Sequence, residues 1–304
     1  MRKVIGIGET ILDIIFREGT PTGAVPGGST FNTMVSLGRM GAATSFLTDL
    51  GDDYVGDIIR GFMKDNGVDD TFVSVWPDKK SPVSLAFLDK DNNARYEFYR
   101  DPFPSEREPI LPEITSDDII VFGSYYALDP VTRPRVAALL RQARECGAIV
   151  VYDVNFRVNH QAEAVKLMGT LLENYEYADI IRGSNEDFRI LYNLTESDAV
   201  FRQQTAFYCP RLVYTCGGEG VRLHTGNISH TYSSLPVPHL ISTIGAGDSF
   251  NAGLIYGLLR QRVRHADLDG LTAEDWNQII SCALTFAADT CQSLENYVGK
   301  NFKI

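Results

Sequence analysis

Short continuous apolar runs recur along the chain, and between most of them lie longer stretches whose apolar residues return every three or four positions. "KVIGI" (3–7) reads as a buried strand, "STFNTMVSLGRMG" (29–41) as a helix closing at Gly41, "TSFLTDLG" (44–51) as a strand and "DYVGDIIRGFMKDNG" (53–67) as a helix capped by Gly67. The alternation resumes with "DDIIVFGS" (117–124), "PRVAALLRQARECG" (134–147), "AIVVYDVN" (148–155), "QAEAVKLMGTLLENYEYA" (161–178) and "DIIRG" (179–183). Uninterrupted apolar strands separated by amphipathic helices predict a parallel sheet covered on both faces, a doubly wound α/β core. Two stretches break the rhythm. "ILDIIFREG" (11–19) and "PVSLAFLDKDNNARYEFYR" (82–100), with its polar turn "DKDNN", alternate at strand period and have no helix after them. They predict a small β-sheet lid built from residues about 11–25 and about 70–103, within one domain spanning 1–304. An antiparallel extension of the main sheet fits the same pattern equally well.

Composition narrows the function. The 304 residues are 44% hydrophobic and 22% charged, ordinary for a globular chain with a sizeable core, and the net charge is −11. That charge argues against nucleic acid or an anionic membrane as partner, so an anionic ligand needs a locally built positive site. Five cysteines without a CxxC pair indicate neither a disulfide framework nor a zinc site, which points to a reducing, cytoplasmic setting. The first residues resemble a signal peptide only until Glu9 and Asp13 interrupt the apolar run.

Several familiar devices are excluded. "GIGETI" (6–11) puts Ile11 where a dinucleotide fingerprint needs its third glycine. There is no Walker A sequence, HRD triplet or GxSxG elbow, and no HExxH spacing among the histidines. What remains is glycine. In "STIGAGDSFNAG" (242–253), Gly245, Ala246 and Gly247 stand directly before Asp248 and an amphipathic helix. Small residues there let helix-terminal N–H groups approach an anion closely. Asp248 as a mere N-cap is the plainer reading, and it leaves the three small residues unexplained. "TCGGEG" (215–220) is a second cluster, a tight turn between two strands, and "PGGSTFNTM" (26–34) a third, with Asn32 in the first turn of a helix.

In this order the three clusters resemble the ribokinase-like (PfkB) carbohydrate kinase family, and the resemblance covers nearly the whole chain. "GGSTFNTMVSLGRMGAATSFLTDLGDDYVGD" (27–57) is similar to the family's N-terminal signature and "STIGAGDSFNAGLIYGLL" (242–259) to its C-terminal one. The resemblance implies a Rossmann-like core with a β lid, a sugar between them and ATP phosphates near Gly245–Asp248. It makes Asp248 the base, and the N–H groups of Gly245, Ala246, Gly247 and Asp248 an anion hole. It assigns Asp13, Gly27, Gly28 and Asn32 to sugar hydroxyls, and Thr215, Gly217, Gly218 and Gly220, together with Gly245 and Gly247, to ATP. "YDVNFR" (152–157) resembles the DxNxR motif of the fructokinase and 2-keto-3-deoxygluconate kinase branches, which puts Asn155 and Arg157 at the substrate. "FYRDP" (98–102) resembles their lid segment and brings Tyr99 and Arg100 over it.

Two departures bear on ions. Where many members carry NxxE, this chain has Ser184 to Asp187, so Asp187 is expected to position Mg2+ through water. Ser242 stands where an aspartate often supports a monovalent cation, leaving K+ to backbone carbonyls. The expectation is an ATP-dependent, magnesium-using sugar kinase, foremost a fructokinase, with a homodimer contact through the lid. A 2-keto-3-deoxygluconate kinase and a non-catalytic sugar- or nucleotide-binding regulator are the alternatives.

Overall fold

The computed structural model describes residues 2–89, 94–103 and 110–304, so most of the turn expected at 89–93 lies outside the described residues. In chain order the strands are Lys3–Ile7 (β1), Ile11–Arg17 (β2), Thr20–Gly27 (β3), Ala43–Gly51 (β4), Val68–Asp69 (β5), Val73–Trp76 (β6), Val83–Leu88 (β7), Ala94–Tyr99 (β8), Ile119–Gly123 (β9), Ile149–Asp153 (β10), Ile180–Ser184 (β11), Leu212–Thr215 (β12), Val221–His224 (β13) and Ser229–Tyr232 (β14). The helices are Ser29–Arg39 (α1), Tyr54–Asp65 (α2), Arg133–Cys146 (α3), Ala164–Tyr177 (α4), Asn185–Tyr192 (α5), Ser197–Val200 (α6), Ala246–Arg260 (α7) and Ala273–Thr290 (α8).

The main sheet runs β14-β13-β12-β11-β10-β9-β1-β4-β5, with β6 also on β4. Every pairing from β12 across to β4 is parallel, and β13 and β14 close the far edge antiparallel. Successive residues of β1 feed opposite cores: Val4 packs with α1, α7 and α8, while Ile5 and Ile7 pack with α3 and α4. That two-sided burial is why its strands read as unbroken apolar runs. Helix α8, which closes the first of these cores, leans on α7 where Gly253 and Gly257 stand: a β-carbon there would sit 2.6 Å from Ala283 Cα and 2.9 Å from Ile279 Cα. No helix among the described residues is long and apolar enough to cross a membrane. All five cysteines are free thiols.

The lid is a separate four-stranded sheet, β3-β2-β7-β8, not an extension of the core sheet. Its β2–β3 hairpin turns through Glu18 and Gly19, both with positive φ (49° and 77°), the twist a two-residue hairpin needs. The second lid segment is shorter than the pattern suggested. Val73–Trp76 pairs in parallel with Thr48–Gly51, so this stretch belongs to the core edge and the lid resumes only at Val83.

Candidate active site

Three parallel strands end side by side at Asp153, Ser184 and Thr215, and the first turns of α1 and α7 abut that edge. Open α/β sheets bind ligands there, because the strand ends and helix N-termini leave backbone groups unused. Asp248 is the third residue of α7, whose N-cap is Gly245 in the left-handed region. Its carboxylate does not cap its own helix, contrary to the plainer reading of the sequence. Oδ2 accepts from Asn32 Nδ2 at 2.8 Å and Oδ1 from Ser29 Oγ at 2.8 Å, so α1 holds the acid of α7. Burial, and then the neighbouring Asp153, push its pKa up to about 6 against the opposing pull of Asn32, Ser29 and Arg157. A carboxylate with that proton affinity is ionised at neutral pH, and is a stronger base than an exposed aspartate.

Beside it the start of α7 offers donors. The N–H groups of Gly245, Gly247 and Asp248 find no acceptor among the described residues, whereas that of Ala246 turns back to Thr243 O at 3.3 Å. The anion hole expected from four amides therefore has three free ones. What the small residues accommodate is different from the expectation. A β-carbon on Gly245, whose φ is +78°, would lie 2.3 Å from Asn296 O, so the C-terminal segment requires this glycine. One on Gly247 would lie 3.0 Å from the guanidinium of Arg182.

Arg182 is the residue that the sequence reasoning missed. It is buried on β11, with Nη1 donating to Asp153 Oδ1 and Nη2 to Thr215 Oγ1, both at 2.9 Å, while its Nε has no partner among the described residues. Burial works against its charge, but Asp153, Asp187 and Asp248 outweigh it and raise its pKa. A permanent cation thus lies directly under the free amides, where negative charge on a ligand gains most from low dielectric. The signal was present as one arginine in the otherwise apolar run "DIIRG".

Other expected residues divide. Thr215 spends its hydroxyl on Arg182 and on Gly183 O. Gly217 and Gly218 are exposed, with open space around them, and Gly220 lets the turn close on Tyr232 O, 2.0 Å from where its β-carbon would be. Leu240, Ile241 and Ile244, in the segment that leads into α7, are exposed. Asp187, expected to position a metal through water, is engaged within the protein. Oδ1 accepts from Phe156 N and Oδ2 from both Ser184 N and Oγ, a buried capping box for α5 that uses both oxygens. Among the described residues no cluster of acids, histidines and cysteines could hold a metal ion. Ser242 Oγ accepts from Ile244 N within the loop before α7.

On the lid side, Asp13 accepts from Ser84 Oγ, and burial raises its pKa. Gly27 keeps clear of Asp13 Oδ2, 3.0 Å from where a β-carbon would be, and Gly28 (φ +134°) approaches Glu9 O too closely for any side chain. Register corrects the expected lid contact: Asp13 pairs with Ser84 and Ser84 with Phe98, whereas Tyr99 pairs with Val83 and points from the other face. Tyr96 and Phe98, stacked 5.9 Å apart, share the Asp13 face, and Tyr96 feels the charges of both Asp13 and Arg157. Arg100 forms an exposed ion pair with Glu9 at 3.2 Å. Asn155, at φ +35°, donates to Ser124 Oγ at 2.8 Å, while Arg157 is exposed and in no ion pair among the described residues.

An acid of raised pKa, free helix-terminal amides and a buried cation below them define a site for moving a proton beside a bound anion. A family model described as pfkB family carbohydrate kinase matches residues 1–297, and the chain belongs to that family. It is 26% identical over 265 residues to the probable fructokinase-6, chloroplastic, of Arabidopsis thaliana, covering 83% of this chain and 69% of that one. It is 27% identical over 269 residues to the aminoimidazole riboside kinase of Salmonella typhimurium, covering 86% and 82%. The fold is similar to the fructokinase double mutant of Vibrio cholerae O395 in its fructose-, ADP- and potassium-bound form, with a TM-score of 0.83, 22% identity and coverage of 97% and 94%. It is also similar to the Salmonella enterica aminoimidazole riboside kinase complexed with aminoimidazole riboside and an ATP analog, with a TM-score of 0.80, 24% identity and coverage of 96% and 94%.

Proposed function

We propose that this carbohydrate kinase transfers the γ-phosphoryl group of ATP to a hydroxymethyl oxygen, with fructose as the preferred acceptor and fructose 6-phosphate as product. The observation that carries the reading is Asp248 itself, held by Ser29 and Asn32 with its pKa near 6 and the free amides of its own helix alongside. In the reaction Asp248 takes the proton of the sugar hydroxyl as its oxygen bonds to the γ-phosphorus. The bond from that phosphorus to the bridging oxygen breaks, and ADP leaves with the electron pair. The amides of Gly245, Gly247 and Asp248 then meet the charge on the equatorial oxygens, with Arg182 beneath them. Magnesium, which normally accompanies nucleotide phosphates, neutralises phosphate charge when bound. No cluster of acids, histidines and cysteines among the described residues would hold it, and Asp187, which also caps α5, would reach it only through water.

Fructose is favoured by the fructokinases among the relatives and by the Asp13 side of the lid, where a carboxylate accepts from neutral hydroxyls and repels a sugar acid. A second reading, a riboside, is favoured by the stacked Tyr96 and Phe98, since aromatic faces suit a heterocycle. ADP formation with ATP and Mg2+, measured across fructose, other hexoses, ribosides and 2-keto-3-deoxygluconate, tests both. Fructose is expected to give the highest kcat/KM. ADP formation with none of them would end the kinase assignment and leave a binding protein.

A further inference from the structure

At the opposite end of the parallel strands the charge pattern reverses. A cavity of about 500 Å3 opens between the residues that precede β1 and β9, the turn leading into β4 and the C-terminal end of α7. Its wall carries Arg2, Arg260, Arg262 and Arg264 against one carboxylate, Asp117, in a chain whose net charge is −11. Asp117 is already taken by Arg264 at 2.8 Å. Arg260 and Arg262 make no ion pair among the described residues, and Arg262 holds its place with φ at +57°, a conformation that side chains disfavour. Arg2 donates to Val263 O, yet its Nε is buried without a partner among the described residues. Burial, together with nearby Arg264, lowers the pKa of Arg2 in spite of Asp117 and Asp118.

We propose that this cavity is a second anion site, built for a small compound carrying two or more phosphate charges, such as a diphosphate or a bisphosphate. Guanidinium forks match phosphate oxygens, and four on the wall of one hollow, two of them in no ion pair among the described residues, reward multiple charge over a single carboxylate. The volume lies within the roughly 300–1,000 Å3 usual for small-molecule sites. Met40, Leu259 and Tyr256 give the same hollow an apolar wall for the rest of the molecule. Helix α7 connects the two ends: its 15 residues span roughly 22 Å, with Asp248 in the first turn and Arg260 as the last residue. An occupant therefore touches the element that carries the candidate base.

The test is calorimetric titration of sodium pyrophosphate into the full chain in magnesium-free buffer, with Gly247→Ala as the control for anion binding at α7's N-terminal amides. One saturable site is expected, with the same affinity in that control. It weakens by about ten-fold in Arg262→Gly, which removes the charge and suits the positive φ, and further in Arg260→Ala/Arg262→Gly, with Tm unchanged. Should the double variant fail to fold, Arg262→Gly alone decides. Binding that Gly247→Ala weakens, affinity equal in all the arginine variants, or no saturable binding would each overturn the proposal.

Discussion

Ser29 Oγ stands 2.8 Å from Asp248 Oδ1 and, on its other side, 3.2 Å from Asp153 Oδ2. A hydroxyl has one proton to donate. While Asp248 is ionised, Ser29 gives it the shorter bond. Once Asp248 has taken a proton it can itself donate to Ser29 Oγ, and Ser29 can turn to Asp153, which Arg182 keeps paired at 2.9 Å. Protonation of the base thus reverses the Ser29–Asp248 hydrogen bond and turns the serine's own proton toward Asp153.

The first prediction is that Ser29→Ala moves the acid limb of the kcat/KM–pH profile upward by up to about one unit. The sign follows from Ser29 lowering the pKa of Asp248, which is about 6 with the hydroxyl in place. At pH 8, where the base is ionised in both proteins, the loss should stay within about ten-fold. An unmoved limb would remove Ser29 from the proton's path.

Asp248→Asn should lose about 100- to 10,000-fold in kcat while sugar affinity persists. Its stability should run the other way. A carboxyl whose pKa is raised by folding costs stability above the folded value, about 6, and costs nothing once it is protonated in both states. The variant's Tm should therefore match or exceed wild type at pH 8, with the difference fading toward pH 4. A Tm well below wild type at pH 8 would show that Asp248 mainly holds α1 to α7.

The two glycines before Asp248 should separate. Gly245→Ala meets Asn296 O from an unfavourable φ, so it should cost about 1–3 kcal/mol of stability. Gly247→Ala meets only the end of the Arg182 side chain, and should lower kcat with a much smaller change in Tm. Urea denaturation and steady-state kinetics on both variants check this. Equal destabilisation would assign both glycines to folding alone.

Much of this architecture was legible in the sequence because burial on both faces of a parallel sheet leaves a strong pattern, as in "AIVVYDVN" and "DIIRG". The glycine clusters likewise marked where the backbone must turn sharply. The partners of those glycines were not legible, since Asn296 lies about fifty residues from Gly245 and Arg182 reaches Gly247 of α7 from strand β11. Nor was the use of Asp187: an acid three residues after Ser184 reads equally as an ion ligand and as half of a capping box. Strand register is a third such case. A run like "YEFYR" alternates faces, but which face meets the cleft is fixed only by pairing through Ser84.

That register yields a lid prediction. Tyr96→Ala and Phe98→Ala should raise the KM for sugar by about five- to ten-fold, because each removes an aromatic face on the Asp13 side. Tyr99→Ala, on the other face, should leave KM nearly unchanged. The reverse result would mean that the lid twists on closure enough to exchange its faces.

The last prediction concerns the two arginines that the resemblance puts at the substrate. Arg100 is committed to Glu9 in an exposed pair, an arrangement worth little and easily exchanged. Arg157 is in no ion pair among the described residues, and its charge lowers the pKa of Asp248 and of lid residue Tyr96 alike. Its charge therefore reaches both the candidate base and the lid. Arg157→Ala should cut kcat by about 100-fold for every accepted sugar and leave the ratio of kcat/KM between fructose and 2-keto-3-deoxygluconate unaltered. Removing this cation also raises the pKa of Asp248, so the acid limb should move upward as well. If instead Arg157→Ala spares fructose and abolishes use of the sugar acid, Arg157 reads the substrate's carboxylate, and the keto-sugar acid becomes the better candidate for the natural acceptor.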